Sequence, residues 1–584
     1  MMRGEASRGI GGCCGSAIGH RWRVLLLGAW ILSGAGPGNR QAFGAEADYT
    51  DAVAELQEVV RAELERKIIR GVSVALIDDQ RVVHVEGFGL ADEKKGIQAA
   101  GDTVYRAGSI SKLFNALAVM QLVERGRLDL DAPVTGYARD FSIVVPFADA
   151  DAITLRQLLC HRSGMIRESP VGGYFDPSDP GVSATVRSVA QCVLVNPPGA
   201  EMRYSNVAPT IAGHAVSLVT KTPYATYQRQ HLLDPLGMKH SSFVLDDRVR
   251  RRLAVGYMRV AKPGGGFRRI EAPQFDLGTL PAGNLFVSAE DLARLAMMIF
   301  ADGRIGDRPL VKPETLEQMF TVQLTDEEEG FGLGFYVGRF GEHKVVRHSG
   351  AVYGFSTAFT ALLEHKLGVI VLANEDIASG AVRRIGKAAM SLMLDAKIGE
   401  KSVPRPEPIA LDGDALDAMT GDYESPSYWA RIERVGDRLH ADVSGQPLTL
   451  TPIGPLTFVA EGRIVDRAEV PFRRDGAGRI FGFTALGQSF TRVDPAKVER
   501  VPDAWRKYLG SYGPSFIPVI VSIKHGHLYA MTENLAAYRL APANRVVFNM
   551  PRGLYTDEEL VFQTGPDGNV HSVILANMTL ERIR

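Results

Sequence analysis

The last third of the chain contains the same residue pattern twice, and this duplication constrains its fold more than any other feature. Short segments of alternating apolar and polar residues are separated by turns, which is typical of β-strands joined by tight connections. The landmarks that recur 89 or 90 residues apart are Gly421 and Gly510, Tyr423 and Tyr512, Leu439 and Leu528, Phe472 and Phe562, and Arg492 and Arg582. A repeat of short strands that must bury one face and protect its edges favours a small antiparallel barrel. The sequence therefore predicts two β-barrels, over residues 417–494 and 506–584.

The region before the repeat has a different pattern. Apolar residues at helical spacing over 51–69 are followed by two strand-like segments, 72–77 and 82–87, and then by mostly helices and loops. Later segments predict strands at 332–337, 345–348, 356–362 and 369–373, and a helix at 381–394. Strands from both ends can share one sheet with a helical lobe beside it, so residues 46–400 are predicted to be an α+β domain. The proline-rich segment 401–416 is predicted to be a linker.

The first 45 residues have the order of a secretion signal. Basic residues precede an apolar run at 24–32, and small residues follow it. The run is shorter than the roughly 20 residues that span a bilayer, which favours a cleaved signal peptide over residues 1–45 rather than an uncleaved anchor. We therefore expect an exported protein, periplasmic or secreted, without stable membrane insertion after signal removal.

Composition and cysteine usage exclude several classes of protein. The chain is 45% hydrophobic and 23% charged with a net charge of −1 and no basic run, which indicates a globular protein and argues against a nucleic-acid partner. Cys13 and Cys14 lie in the leader, and the sequence leaves open whether Cys160 and Cys192 are bridged or free. No Cys/His cluster has zinc spacing, so neither a metal nor a cofactor is predicted. The oligomeric state is undetermined.

The first group of residues with chemical potential is Ser109 and Lys112. They lie three positions apart at the start of a predicted helix, so both side chains project from one face. A serine hydroxyl becomes a good nucleophile when a neighbouring base takes its proton, and a lysine whose pKa is lowered by desolvation can do so. By itself, Ser-x-x-Lys is a spacing that chance also produces.

Two further groups lie far along the chain. Tyr204 and Asn206 follow a turn and precede an apolar helix, where a tyrosine can relay a proton and an amide can hold a carbonyl. His348 and Gly350 lie on a predicted strand, which can carry a polar group into a site next to a glycine that lets substrate backbone come close. Taken singly, these groups would also fit a helix cap and a structural histidine.

In this order and spacing, Ser109-x-x-Lys112, Tyr204-x-Asn206 and His348-x-Gly350 resemble the serine β-lactamase and DD-peptidase superfamily. The Tyr-x-Asn and His-x-Gly versions are similar to the branch with class C β-lactamase-like enzymes, DD-carboxypeptidases, D-aminopeptidases and some esterases. Supporting segments lie at 158–164, 235–238, 282–285 and 288–291. The resemblance covers residues 52–394 and implies a β-lactamase/transpeptidase-like α/β/α sandwich with an antiparallel sheet.

The resemblance also implies a role for each motif residue. Ser109 would be the acylated nucleophile, Lys112 its proton acceptor or the electrostatic partner of that acceptor, and Tyr204 the proton shuttle. Asn206 would be a substrate clamp and His348 the third-motif residue.

The backbone N–H groups of Ser109 and Ala351, the latter beside Gly350, would form the oxyanion hole that binds the developing negative charge. Such a donor typically changes the rate about a hundred- to a thousand-fold.

One residue limits what the resemblance implies about the substrate. Many superfamily members have a lysine where this chain has His348, and a histidine of ordinary pKa is largely neutral at pH 7. Carboxylate recognition is therefore not assured, and Arg347 is predicted to face the opposite side of the strand.

The architecture of a catalytic domain followed by two barrels is similar to that of bacterial D-aminopeptidases, in which a barrel loop reaches the active site and helps to recognise the substrate amine. The favoured function is a peptidase or amidase on D-amino-acid-containing peptides or small molecules, with esterase and β-lactamase as alternatives. A binder or sensor that forms a slow acyl adduct is the alternative from another class. The barrels are expected to be separable and to tune specificity.

Overall fold

The structure is a computed structural model that describes residues 47–262, 265–401 and 406–583. The predicted signal peptide with Cys13 and Cys14, and part of the predicted linker, lie outside the described residues. Residues from Asp48 onward form one compact unit. Within the described ranges, no helix combines the length and apolar character needed to cross a membrane.

Helices dominate the middle of the first domain. Its α-helices are α1 (Thr50–Glu65), α2 (Ser111–Glu124), α3 (Leu155–Leu159), α4 (Val182–Arg187), α5 (Val207–Thr220), α6 (Tyr224–Gln228), α7 (Asp234–Leu236), α8 (Asp247–Arg250), α9 (Leu280–Gly283), α10 (Ala289–Phe300), α11 (Pro313–Met319) and α12 (Ser379–Ile398). Short 3₁₀ turns lie at Val134–Gly136 and Ser188–Gln191, and a π turn lies at Arg229–Leu233. Helix α2 is apolar on almost every side and nearly all of its residues are buried, so it lies at the centre of the domain.

The strands of this domain come from both of its ends, as predicted. They are β1 (Gly71–Asp78), β2 (Arg81–Asp92), β3 (Ile97–Gln98), β4 (Val104–Gly108), β5 (Tyr257–Ala261), β6 (Phe267–Glu271), β7 (Leu285–Ser288), β8 (Arg304–Ile305), β9 (Arg308–Pro309), β10 (Gly330–Phe331), β11 (Tyr336–Phe340), β12 (His343–Val352), β13 (Phe355–Leu362) and β14 (Leu367–Ala373). The main sheet is antiparallel, in the order β10-β11-β12-β13-β14-β1-β2-β3. Strands β1 and β14 are buried along almost their whole length because helices cover both faces, which confirms the α+β prediction.

The predicted strand at 332–337 is wrong in its bounds. Strands β10 and β11 are separated by a loop in which Gly334 has φ of +81°. A Cβ at Gly334 would lie 2.5 Å from Cβ of Ala116 and 3.1 Å from the carbonyl oxygen of Lys112. The loop therefore dips onto α2, and the strand breaks where that contact forms.

The two cysteines of the first domain, Cys160 and Cys192, are both free and buried. Burial raises the pKa of each thiol to about 11. They are inert apolar packing residues in this fold.

The first tail repeat is a closed antiparallel barrel, as predicted. A short helix α13 (Gly413–Asp417) precedes it, and its strands are β15 (Gly421–Glu424), β16 (Trp429–Val435), β17 (Arg438–Val443), β18 (Gln446–Pro452), β19 (Thr457–Gly462), β20 (Ala468–Arg474), β21 (Ile480–Ala485) and β22 (Gln488–Arg492). Alternating inward residues build a separate hydrophobic core whose buried members all lie between Leu416 and Phe490.

The second repeat follows 3₁₀ turns at Pro495–Lys497 and Asp503–Tyr508 and has the same strand order, but its ladder is divided. A four-stranded sheet and a five-stranded sheet contain β23 (Gly510–Tyr512), β24 (Val519–Lys524), β25 (His527–Met531), β26 (Ala537–Arg539), β27 (Ala541–Pro542), β28 (Val547–Asn549), β29 (Glu559–Thr564), β30 (Val570–Leu575) and β31 (Met578–Glu581). The counterpart of β18 is interrupted at Leu540, so its halves pair with different neighbours. A single bridge between Tyr512 and Arg582 links the first and last strands.

The two repeats are attached to the first domain in different ways. The buried residues of the second repeat belong to the same apolar core as those of the first domain, and Phe516 packs against Phe275 and Tyr353. The first repeat is joined by polar contacts, including an ion pair of 3.2 Å between Arg463 and Glu375. A double barrel that separates freely at the linker does not fit this shared core.

Candidate active site

Ser109 lies where β4 gives way to α2. Gly108 precedes it with φ of +55°, and a Cβ there would lie 2.9 Å from the backbone nitrogen of Ala351. Only glycine accommodates that approach without strain. The backbone of β12 therefore runs close to the start of the segment that presents Ser109, which is the arrangement expected for the predicted pair of oxyanion-binding N–H groups.

Lys112 is the centre of the hydrogen-bond network. Its Nζ lies 3.0 Å from Ser109 Oγ and donates to Asn206 Oδ1 and to the carbonyl oxygen of Ala282, each at 2.8 Å. Burial lowers the pKa of Lys112 well below its usual value, which favours the neutral amine. A neutral amine has two N–H donors, which the two carbonyl oxygens engage, and one lone pair, which is left for the hydroxyl proton of Ser109.

Tyr204 completes the proton network from the other side. Its hydroxyl donates to Ser109 Oγ at 2.8 Å, and its ring stacks on His161 with centroids 4.3 Å apart. Burial raises the pKa of Tyr204 to about 12, so the hydroxyl is protonated near neutral pH. Ser109 thus accepts a hydrogen bond from a tyrosine while its own proton can point to a neutral lysine.

His348 lies on β12 with its ring 6.5 Å from that of Tyr204. Burial lowers its pKa to about 3, so the imidazole is neutral. Its Nδ1 lies 2.7 Å from the carbonyl oxygen of Ser349, and its buried Nε2 has no hydrogen-bond partner. Because a carbonyl only accepts, Nδ1 carries the proton and Nε2 is a free acceptor. Arg347 is exposed on the opposite face of the strand and lies over the ring of Tyr336.

Gly350 has a role other than the one predicted for it. A Cβ at this position would lie 1.9 Å from the carbonyl oxygen of Ala107 and 2.4 Å from Oγ1 of Thr357. The missing side chain allows β12 to approach β4, rather than making room for substrate backbone.

Sequence analysis missed a buried carboxylate beside the motif residues. Glu168 accepts a hydrogen bond from Asn206 Nδ2, so Asn206 bridges Lys112 and Glu168. Burial raises the pKa of Glu168 to about 7, opposed by the adjacent guanidinium of Arg167. Glu168 follows the segment 158–164 by only a few residues, but its sequence has no pattern that predicts a link to a motif 38 residues away.

The second barrel repeat reaches this site, a question that the sequence left open. Glu533 lies 3.6 Å from the guanidinium of Arg167, and Glu558 lies 3.0 Å from that of Arg203, the residue before Tyr204. The backbone N–H of Arg167 also donates to Glu558 at 3.2 Å. The repeat therefore holds two arginines near Tyr204, one beside its ring and one that precedes it in the chain.

A separate group of His343, Glu364 and His365 has ligand atoms within 4.8 Å of one another and could hold a metal ion. Both ring nitrogens of His343 are already paired, with Glu364 at 2.9 Å and Glu400 at 2.7 Å. These ion pairs account for the cluster, which lies at the end of β12 away from His348.

The chain is similar to known proteins in sequence and in fold. The sequence profile of the family described as Beta-lactamase matches residues 56–389. Protein flp of Staphylococcus aureus (strain MW2) is 26% identical over 329 residues, which cover 56% of this chain and 63% of that protein. The match thus spans less than two thirds of that relative.

Two solved structures show the same fold. An octameric penicillin-binding protein homologue from Pyrococcus abyssi has a TM-score of 0.54 at 24% identity, covering 75% of this chain and 100% of that one. The D-amino acid amidase from Ochrobactrum anthropi SV3, in complex with D-phenylalanine, has a TM-score of 0.51 at 22% identity, covering 60% of this chain and 100% of that one.

Proposed function

Because the chain belongs to the Beta-lactamase family of serine hydrolases, we propose that it cleaves an amide or ester through an acyl-enzyme on Ser109. The observation that carries this proposal is the position of Ser109 Oγ, 3.0 Å from Lys112 Nζ and 2.8 Å from the Tyr204 hydroxyl. A nucleophile between a neutral amine and a protonated phenol has both a base and an acid within hydrogen-bond reach.

The protonation states of Lys112 and Tyr204 determine the direction in which each proton moves during acylation. As Ser109 Oγ attacks the carbonyl carbon, its proton moves to Lys112, and the carbonyl oxygen gains negative charge facing the N–H groups of Ser109 and Ala351. When the tetrahedral intermediate collapses, the leaving nitrogen or oxygen takes a proton from Tyr204. Hydrolysis of the ester on Ser109 reverses these roles, with water as the nucleophile.

For the substrate, we propose a D-amino-acid amide, or a peptide whose N-terminal D-residue carries a free amino group, as in D-aminopeptidases and D-amino acid amidases. Three carboxylates, Glu168, Glu533 and Glu558, face two guanidinium groups near Tyr204, and each has one buried oxygen without a partner. The Nε2 acceptor of His348 is also free and suits a hydrogen-bond donor better than a carboxylate. Both features favour a cationic amine.

A panel of substrates tests this choice on purified protein. We expect D-amino-acid amides and D-alanyl peptides with a free amine to react faster than their N-acetylated forms, short esters or a cephalosporin. Equal rates for the free and acetylated amines would contradict amine recognition. Steady turnover beyond one burst per site distinguishes a hydrolase from a binder that stops at the acyl adduct. We also propose that the protein acts after export, on substrates outside the cytoplasm.

Ser109→Ala is expected to abolish turnover and covalent labelling by a fluorophosphonate. Ser111→Ala is the matched control, because Ser111 Oγ bonds the Gly108 carbonyl oxygen and the Leu285 N–H instead of facing the site. The control should lose about 1–3 kcal/mol of stability and retain labelling. Labelling of Ser109→Ala at the wild-type rate would show that another residue is acylated.

Tyr204→Phe keeps the ring but removes the hydroxyl that bonds Ser109. We expect acylation to slow by about 10²- to 10⁴-fold, the usual contribution of general acid–base catalysis, with little change in folding. Acylation and deacylation are measured separately between pH 5 and 9. Unchanged rates in both steps would assign the proton transfers to Lys112 and His348.

A further inference from the structure

We propose that the second barrel repeat is part of the catalytic machinery, because Glu533 and Tyr555 hold Arg167 against the ring of Tyr204. Arg167 is then a positioning residue for the proton-transferring tyrosine, and Glu533 is a positioning residue that acts through Arg167. This inference rests on the proposed acylation of Ser109, but it does not depend on which substrate is cleaved.

The guanidinium of Arg167 lies between two tyrosines from different domains. Its central carbon is 5.7 Å from the ring centroid of Tyr204 and 5.7 Å from that of Tyr555. Tyr555 is fully buried, and its hydroxyl donates to Glu533 Oε1 at 3.1 Å. Glu533, with a side chain only 8% exposed, lies 3.6 Å from Arg167. The repeat thus supplies the nearer of the two carboxylates that pair with this cation, the other being Glu168 at 3.9 Å, together with one of its two aromatic contacts.

The backbone around Arg167 is tied to the same network. Its carbonyl oxygen accepts from the N–H of Asn206, and its own N–H donates to Glu558. Arg203, immediately before Tyr204, forms an ion pair with Glu558 and also donates to the carbonyl oxygen of Thr556. The segment that presents Tyr204 and Asn206 is therefore fixed at two points by residues more than 350 positions away.

A cation beside Tyr204 has a definite chemical effect. Tyr204 must give up and regain a proton, and burial makes its phenolate costly, whereas the charge of Arg167 lowers the pKa of Tyr204 and offsets part of that cost. The charged or titratable groups that surround the ring are Lys112, His161, Arg167, Glu168 and His348. Within the described residues, Arg167 is the only one of these five groups that contacts side chains of the second repeat.

The test uses full-length protein and a neutral aryl ester without an amino group, so that amine recognition does not enter. Wild-type acylation of Ser109 is measured first, and its absence would refute the proposed function itself. Rates per active site, counted by burst titration, are then followed from pH 6 to 11 for Glu533→Gln, Arg167→Lys and Arg167→Met. The upper end of this range captures the onset of Tyr204 deprotonation, from which the apparent alkaline pKa is fitted. Glu581→Gln is the matched control, since Glu581 is an exposed carboxylate of the same repeat.

We expect Glu533→Gln to slow acylation roughly ten-fold, within the range of a desolvated cation–π contact, and to raise the apparent alkaline pKa of the profile. Arg167→Met should shift both quantities further in the same direction, with Arg167→Lys between it and wild type. The double variant Glu533→Gln/Arg167→Met should be no slower than Arg167→Met alone, because the two residues act through one contact. The control should match wild type.

The direction of the pKa change separates this proposal from a simple charge effect. If Glu533 acted only through its negative charge, removing it would strengthen the positive field at Tyr204 and lower the apparent pKa. A lowered pKa, an unchanged rate in Glu533→Gln, or additive effects in the double variant would each overturn the proposal. If Glu533→Gln does not fold, Tyr555→Phe removes the hydrogen bond to Glu533 and should give a smaller shift of the same sign.

Discussion

The two tail repeats have one pattern but different relations to the rest of the protein. In each, a tyrosine of the first strand donates to a carbonyl oxygen four residues earlier and lies beneath an arginine at the end of the repeat. The guanidinium carbon lies 5.2 Å from the ring centroid for Arg492 over Tyr423 and 5.8 Å for Arg582 over Tyr512. The first repeat has a closed ladder of strands and a separate hydrophobic core. The second shares its core with the first domain and has a divided ladder.

The difference shows how a duplicated fold can acquire a second role. By the offsets of the repeat, Ser444 and Ala468 in the first copy correspond to Glu533 and Glu558 in the second. These positions lie at strand ends or in loops, so a carboxylate is accommodated there without interrupting a strand. The duplicate therefore retains its fold while its loops supply charges to a neighbouring domain.

The largest effect should follow from ending the chain at residue 500, which removes the second repeat. We expect the remaining protein to lose at least on the order of 100-fold in Ser109 acylation, since Arg167 and Arg203 lose their carboxylates and the shared core is opened. Fluorophosphonate labelling of the soluble fraction measures this. Labelling at the wild-type rate would place the repeat outside the catalytic machinery.

Aromatic truncations in the two cores sharpen the comparison. Phe483 is 2% exposed and stacks on Phe490 in the first repeat, so Phe483→Ala should cost about 3–5 kcal/mol of stability without changing the rate per folded molecule. Phe516→Ala should cost less, about 2 kcal/mol, because this residue is only partly buried, but it should slow acylation. Denaturant unfolding measures the loss of stability, and burst titration gives the acylation rate per folded molecule. Equal effects of the two variants on that rate would contradict a catalytic role for the second repeat alone.

The arginines that close each repeat offer a matched pair. Arg492→Ala and Arg582→Ala each remove a guanidinium from a tyrosine ring, and each should cost about 1–2 kcal/mol. Only Arg582→Ala is expected to reduce activity, by about two- to five-fold, since only its repeat contacts the site. Reduced activity in Arg492→Ala would mean that the first repeat also communicates with Ser109.

The smallest effect concerns how stability depends on pH at the polar contacts that join the first repeat to the first domain. Asp376 is buried beside Glu375, its carbonyl oxygen accepts from Arg463, and burial followed by the charge of Glu375 raises its pKa to about 8. A raised pKa in the folded state means a contribution to stability that is complete below about pH 4 and is lost as the pH rises through 8. Relative to Asp376→Asn, wild-type protein should therefore lose stability steadily as the pH rises from 5 to 8. Parallel stability profiles would contradict this.

The sequence by itself determined the α+β domain and the repeat in the tail, because strand and helix periods and turn residues are local. It also singled out Ser109, Lys112, Tyr204, Asn206 and His348, which the structure brings together around one hydroxyl. Their order and spacing taken together, through the resemblance to a known superfamily, separated these motifs from patterns that chance also produces.

Tertiary structure alone decided which other groups face that hydroxyl. Glu168 and Arg167 have ordinary sequence surroundings, and Glu558 contacts Arg167 across 391 positions. Contacts at such separation leave no periodicity in the sequence, since they depend on how two finished domains pack. The same packing decided that Gly350 serves the approach of two strands and that the second repeat, rather than the first, reaches the site.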